Sequence, residues 1–460
     1  MPPRTPRQGG DGRGGTVRGA GPRTRRGPGR YQRRVGRVLP DPSCVPDGGG
    51  TLSTRLPPLL RHREFNLYWA GVALSQIGVR GTTAVNLFHV YDLTGSTALV
   101  GVVGLVQGIA VVVLSPLGGA YADRVDRRRL LQMTQVVSLL ASLALAVLSL
   151  GGAIVVWHIY VAVLVNTAAS TFDHPTRTAL IPALVPRALL PQAFALVNPT
   201  RELAILIGPA LGGLLLAFRG PAAMYLFDAA TYVLLIAVLA RLRVPPLDVA
   251  EAKATPVLRS MREGASYLRR RPLIGQLVSL DLSTTLLAGW RVILPALAVD
   301  ILGAGEVAYG LLAAAPSAGA LLGTAAILPL VLRAPAGPLV LAGTGAYGLA
   351  CIALARAPSL NLALLAGLGI GAMDALASAI RQAAVQLETP DAMRGRVTSL
   401  VQVASRGGPA LGDANVGWMA ALMGPAAALT LGGVVPMVYA TCMAVFGTRV
   451  RSYRVVENSP

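Results

Sequence analysis

The chain has 460 residues, 53% of them hydrophobic and 13% charged, and a formal net charge of +20. Soluble domains carry about 25% charged residues, so this composition excludes an ordinary water-soluble fold and points to an all-α integral membrane protein. The ~10-residue alternating segments of a membrane β-barrel do not occur. Cys44, Cys351 and Cys442 form no CxxC, the four histidines form no HExxH, and there is no P-loop. A metal site, a disulfide framework and an ATP-driven pump are therefore not expected.

In chain order, residues 1–55 are a low-complexity mixture of Arg, Gly and Pro ("RTRRGPGRYQRRVGRV"). They offer too little apolar surface to offset the entropy of ordering, and read as a disordered cytoplasmic tail. No short apolar core with a small-residue cleavage site follows, so the tail is not read as a secretory signal. Twelve apolar stretches come next, at 65–91, 96–121, 130–150, 153–176, 190–218, 221–241, 273–299, 305–332, 338–356, 358–381, 395–423 and 426–447. Each approaches the ~20 residues that a helix rising ~1.5 Å per residue needs to cross ~30 Å of hydrocarbon. The longest charged interruption, 241–272, separates the sixth from the seventh. The expected layout is a six-helix bundle over 56–243, a cytoplasmic linker over 244–272, a second six-helix bundle over 273–447 and a cytoplasmic tail over 448–460.

Loop charge sets the orientation. With the N-terminus inside, cytoplasmic loops receive Arg124, Arg127, Arg128, Arg129, Arg187, Arg333, Arg394, Arg396, Arg449, Arg451 and Arg454, against Arg219 and Arg356 outside. That bias obeys the positive-inside rule and predicts an N-in, C-in chain. An internal repeat supports the division into halves: "GPALGG" (208–213) in the fifth span recurs as "GPALGD" (408–413) in the eleventh. Gly208, Pro209, Gly212 and Gly213, with Gly408, Pro409 and Gly412, read as small-residue helix-packing faces with a bend. "GLGIGAMD" (367–374) lies in an apolar span with no preceding strand, and also reads as helix packing.

Ionisable residues inside a bilayer are costly and are functional candidates by default. At ~1.5 Å per residue, Asp281 lies about 13 Å into the seventh span, and Arg201 and Glu202 about 16–18 Å into the fifth. Arg80 falls somewhat beyond the middle of the first span and Asp228 about a third of the way into the sixth, whereas Asp374 and Asp173 fall nearer the cytoplasmic face. A proton-coupled carrier needs a carboxylate whose affinity for the proton is tuned by burial and by a nearby arginine. Asp281 and Glu202, with Arg80 and Arg201 as counter-ions and Asp228 as a further candidate, meet that requirement. Arg201 and Glu202 point ~100° apart on a helix, so each is expected to have its partner elsewhere.

Between the second and third spans stands "GGAYADRVDRRRLL" (118–131). It resembles the loop motif of the major facilitator superfamily, Gly-x-Leu-Ala-Asp-Arg-x-Gly-Arg-Lys, with Gly119, Asp123, Arg124, Arg127 and Arg128 in register. Tyr121 replaces the Leu and Asp126 the second Gly. Asp126, "SQIG" (75–78), "VYDLTGS" (90–96), "FDHPTRTALIPALVP" (172–186) and "YLRRRPLI" (267–274) are similar to the drug:proton antiporter-3 branch, which includes macrolide, multidrug and enterobactin exporters. Many relatives carry an Asp after "SQxG", where this chain has Val79. The resemblance spans nearly all of 56–447. It implies twelve helices in two pseudo-symmetric six-helix bundles and a cytoplasmic gate. In that gate, Asp123 faces the start of the eleventh span near Met393–Thr398, Arg127 pairs with Asp173, and Arg177 lies close by.

The function implied is secondary active export of a drug-like or siderophore-like amphipathic small molecule by proton antiport through alternating access. The proton gradient replaces any cofactor and no enzymatic activity is expected. Partners are the substrate and membrane lipid, without nucleic acid, for a monomeric multi-pass protein of the plasma membrane. A lysophospholipid flippase or dedicated siderophore exporter of the same fold is the alternative, and a sensor that does not transport ranks last.

Overall fold

The first long helix, α1 (Arg63–Thr94), stops at Gly95, whose φ of 61° lets its N–H turn back onto the Tyr91 carbonyl. Helices α2 (Thr97–Ala122) and α3 (Arg127–Leu150) follow, α3 capped by the Asp126 carboxylate, which accepts from the Arg128 and Arg129 N–H groups. The first half closes with α4 (Val156–Leu184), α5 (Leu190–Arg219) and α6 (Pro221–Arg241). The second half holds α7 (Pro272–Leu287), α8 (Gly305–Arg333), α9 (Ala336–Ala355), α10 (Leu360–Glu388), α11 (Asp391–Met423) and α12 (Pro425–Phe446). This computed structural model describes residues 58–122, 126–242, 266–267, 270–333 and 335–453. The expected N-terminal tail, most of the linker, and Asp123 and Arg124 lie outside the described residues.

Nine helices among the described residues are long and apolar enough to cross a membrane. Long α1, α4 and α11 fall outside that set, and each carries ionisable residues along its length. Two helices outrun the apolar stretches that announced them. The expected 153–176 becomes Val156–Leu184 and the expected 358–381 becomes Leu360–Glu388. Leu180, Ile181 and Leu184, like Ala384 and Val385, are buried, so these helices persist for as long as one face packs, past the point where the other becomes polar.

The seventh span is interrupted. After Leu287 the chain passes through Ala288, Gly289 and Trp290, a 3-10 turn at Arg291–Ile293, a single α-turn at Leu294–Ala296 and a π turn at Leu297–Ile301. Pro295 cannot donate to the carbonyl one turn earlier, which breaks the hydrogen-bond ladder there. A side-chain carbon on Gly289 would lie 2.8 Å from the Gly412 carbonyl oxygen, so the break is seated directly on α11.

The repeated motif makes equivalent contacts in the two halves. Gly208 and Gly212 place α5 against α1 at Gly81, and Gly408 and Gly412 place α11 against α7 at Thr285. Gly371 packs in the same way against the Pro316 backbone of α8. The halves then meet through two seams. Gly101, Gly104 and Gly108 of α2 abut Ala410, Leu411 and Ala414 of α11, and Gly213 of α5 abuts Gly310 of α8.

The cores show which ends are closed. One apolar cluster joins the halves at the end that carries Gly95, drawing Val85, Phe88 and Val103 together with Val292, Leu294, Tyr309 and Val416. At the other end, Phe65, Leu131, Leu180 and Leu235 form a cluster within the first half, and Leu277, Val340, Ile380 and Ala440 form one within the second. Among the described residues, no apolar cluster joins the halves at that end. Leu140, Leu226, Leu365, Leu422 and Phe446 are exposed on the outer surfaces, as lipid contact requires.

Candidate functional site

A central cavity of about 340 Å³ lies between the two halves. Helix α1 contributes Arg80 and Thr83 to its wall, and α5 contributes Glu202 and Pro209. The α7 break contributes Trp290 and Arg291, and the other helices of the second half contribute Tyr309, Tyr347, Asp374 and Asp413. A smaller cavity of about 160 Å³ adjoins it, lined by Asp281, Ser378, Arg381, Gln382 and Ser405. Thr285, Asp374 and Pro409 line both.

Asp281 is buried and bonded to Arg381, seven residues along α10 from Asp374. Its counter-ion is therefore neither Arg80 nor Arg201, as its sequence position suggested. Arg381 stood at the expected edge of the tenth span, and the two further helical turns of α10 carry it inside. Arg291 Nε donates to Asp413 Oδ2 at 2.9 Å, with the carboxylate buried and the guanidinium partly open to the cavity. Sequence reasoning missed this pair, although both signals were present. Arg291 lies within an expected span, and Asp413 is the one departure of "GPALGD" from "GPALGG".

Arg201 and Glu202 correct a second expectation. Instead of separate partners, their side chains swing together, with Arg201 Nη2 2.8 Å from Glu202 Oε1 and both well exposed. The ~100° between neighbours applies at Cβ, and a long guanidinium arm can close it. Glu202 faces the cavity and Arg201 is not among the lining residues. Asp228 stands apart from the cavity, 1% exposed within the first half, where its Oδ2 accepts from Ser142 at 2.8 Å.

The residues of the expected cytoplasmic gate are described in part. Gly119 lies in α2, and Asp123 and Arg124 lie outside the described residues. Asp126 serves as the α3 cap, Arg127 donates to the Ala179 carbonyl and Arg128 to the Ala240 carbonyl. Asp173 is held by Arg177 at 2.6 Å and by Gln135 at 2.8 Å, so the pairing expected of Arg127 falls to Arg177. The four-residue spacing puts Asp173 and Arg177 on one face of α4, and Arg177 is only 8% exposed. It reaches on to Ser75 of α1 and Gln135 of α3, while Tyr68 donates to its carbonyl.

An interrupted helix beside a polar cavity between two symmetric halves is the architecture of a secondary transporter. The comparisons agree. The chain matches the family described as transmembrane secretion effector over residues 53–459, and it belongs to that family, within the major facilitator superfamily. It is 30% identical over 364 residues to the enterobactin exporter EntS of Citrobacter koseri, covering 79% of this chain and 85% of the relative. The protein of the same name from Shigella boydii serotype 4 is 29% identical over 385 residues, covering 83% and 90%. The crystal structure of the nucleoside transporter NupG superposes with a TM-score of 0.67 at 15% identity, covering 85% of this chain and 100% of that one. The likeness to NupG concerns the fold alone. The protein is a multi-pass transporter of the bacterial inner membrane.

Proposed function

We propose that this protein exports a siderophore-like amphipathic small molecule by proton antiport through alternating access. The observation that carries the reading is the distribution of the core. One cluster joins the Gly95 ends, separate clusters occupy the opposite ends among the described residues, and a cavity lined by charged and aromatic residues lies between the halves. With twelve spans and both termini in the cytoplasm, the structure is inward-open. Helices α1, α4 and α11 then cross the membrane despite their polarity because Arg80 and Asp413 face the cavity and Asp173 and Arg177 face one another. The relatives named enterobactin exporters support the substrate class. Proton coupling draws on carboxylates that line the cavities, of which Asp281 and Glu202 were legible in sequence.

The test is complementation. In a bacterium stripped of its own enterobactin exporter and broad-range pumps, expression restores enterobactin release, and a protonophore abolishes it. Unchanged release with the protein present in the membrane overturns the siderophore-like reading. Release that survives the protonophore overturns antiport alone.

A further inference from the structure

One seam between the halves contains a charge where the repeat would have placed a glycine. Position 413 of "GPALGD" stands where Gly213 stands in "GPALGG", and Gly213 abuts the Gly310 main chain. Asp413 takes the corresponding seat on α11 against α2, where a side-chain carbon on Gly104 would lie 2.9 Å from its Cβ. Its side chain is 5% exposed, and its ion-pair partner among the described residues is Arg291, whose side chain is 42% exposed. The pair is therefore lopsided. Arg291 is open to the cavity and loses a partner at little cost, whereas Asp413 without Arg291 is a charge shut between the halves. Arg291 also has donors to spare. Among the described residues only its Nε is bonded, to Asp413 Oδ2, and the rest of the guanidinium fork makes no hydrogen bond. The guanidinium carbon lies 5.9 Å from the centre of the Trp290 ring, and both residues line the cavity. An open guanidinium fork beside an indole face is a receptor for an anionic oxygen carried on an aromatic ring.

We infer that the Arg291–Asp413 pair is an interlock through which an occupant of the cavity, bound to Arg291 as an aromatic acid, opens the seam between α2 and α11. The inference rests on the exporter reading and deepens it, since it gives the exported molecule a charged group and gives its binding a consequence. An anionic oxygen that reaches Arg291 competes with Asp413 for the guanidinium. As Arg291 turns to the ligand, the Asp413 carboxylate is left against Gly104 without its counter-charge. A charge buried in that way destabilises the closed seam alone, because parting α2 from α11 admits water to it. Occupancy thus drives the Gly95 ends apart, the direction in which a loaded exporter must move. The seam between α5 and α8 has glycine at both Gly213 and Gly310 and has no charge there to respond. Arg80 lines the cavity from the first half, with Glu202 and Asp374 elsewhere on its wall, so an anion settles toward the guanidiniums.

The experiment uses the full chain in lipid nanodiscs with spin labels at Ser96 and Ala304, one on each half at the Gly95 end. The probe is fluorescein, an anionic aromatic acid, with cationic rhodamine 123 as its control, and binding is read by fluorescence anisotropy. Wild type binds fluorescein in preference to rhodamine 123, and fluorescein lengthens the distance between the labels. Arg291→Gln weakens fluorescein by about tenfold or more, as expected for loss of a charge-assisted contact. It also lengthens the distance with no probe present, because Asp413 is stranded from the start. Asp413→Asn binds fluorescein at least as tightly as wild type, yet the distance no longer responds. Combining the two substitutions returns the distance to that of probe-free wild type. A pair that merely braces the fold gives another pattern, with both single variants shifting the distance alike, and that result overturns the inference. Equal fluorescein binding by wild type and Arg291→Gln overturns it too, as does binding that leaves the wild-type distance unchanged. Enterobactin release in the complementation host separates the two readings. Release by wild type with no distance response to fluorescein sinks the interlock and leaves the exporter, whereas the full set of responses without release sinks the siderophore-like reading and leaves the interlock.

Discussion

Asp281 and Arg381 show what a buried ion pair does to its neighbours. Each side chain is about nine-tenths buried, so removing one partner strands a charge that the protein interior cannot solvate. Arg381→Gln alone is expected to cost about 3–5 kcal/mol of stability, read as a lowered unfolding midpoint in detergent. Pairing it with Asp281→Asn should recover most of that loss, because no uncompensated charge remains. If the double variant is as unstable as the single, the pair is not the source of the effect. Arg201 and Glu202 supply the contrast. Their pair is well exposed, and exposed pairs contribute little, so Arg201→Gln should leave the midpoint within about 0.5 kcal/mol. At this scale the sequence singled out Asp281 and Asp228, which are buried, but passed over Asp413 and did not say whom any of them meets. The residue types and the helical rise locate Asp281 along one span. Its partner depends on how far α10 continues, which only the packing of Ala384 and Val385 decides.

Helix connections were more legible than the sequence reading took from them. The stretch Gly220-Pro221-Ala222-Ala223 recurs as Gly424-Pro425-Ala426-Ala427, at the same junction of each half. In the structure both glycines leave the ordinary backbone regions, Gly220 at φ 72°, ψ −177° and Gly424 at φ 88°, ψ 154°, while each proline opens the next helix. Such dihedrals are essentially restricted to glycine. Gly220→Ala and Gly424→Ala should therefore each cost about 1–3 kcal/mol, although nothing lies within 4 Å to clash with a methyl group. A thermal shift for both, absent from Gly345→Ala in the interior of α9, would confirm that backbone strain is the cause. The break in α7 was not read from sequence. "LAGWRVILP" is apolar enough to pass for a continuous span, and a single proline does not reveal that the chain will pass through three kinds of turn.

For the whole molecule, composition, loop charge and the internal repeat were enough to expect two related helical halves. Which ends of those halves touch is absent from any such pattern, because both closures use the same sequence. The structure shows what holds the present one. Tyr91 donates to Asp300 across the halves, and Tyr309 donates to the Ala84 carbonyl at 2.6 Å. Tyr91→Phe removes a hydrogen bond to a carboxylate worth about 1.5–3 kcal/mol. It should move the population at least about tenfold toward the form with these ends apart. Spin labels at Ser96 and Ala304 would report that as a longer distance, and an unchanged distribution would show that Tyr91 does not bias the equilibrium. Gly104→Val should act in the same direction for a different reason. Its side chain would meet the Ala410 carbonyl oxygen 2.5 Å from Cβ, so closure is blocked by volume.

The seams at Gly101 and Gly104 and at Gly213 and Gly310 bring main chain onto main chain, with almost no side chain between. A surface of that kind has no rotamers to freeze when it shuts and none to release when it parts. Its amides are already bonded within their own helices, so water entering the gap finds few unsatisfied groups. Friction in such a joint is low, and its two positions differ by whatever few bonds, such as those of Tyr91 and Tyr309, are laid across it. Small cargoes and single protons carry only a few kilocalories each, and a joint this nearly balanced is one that they can tip.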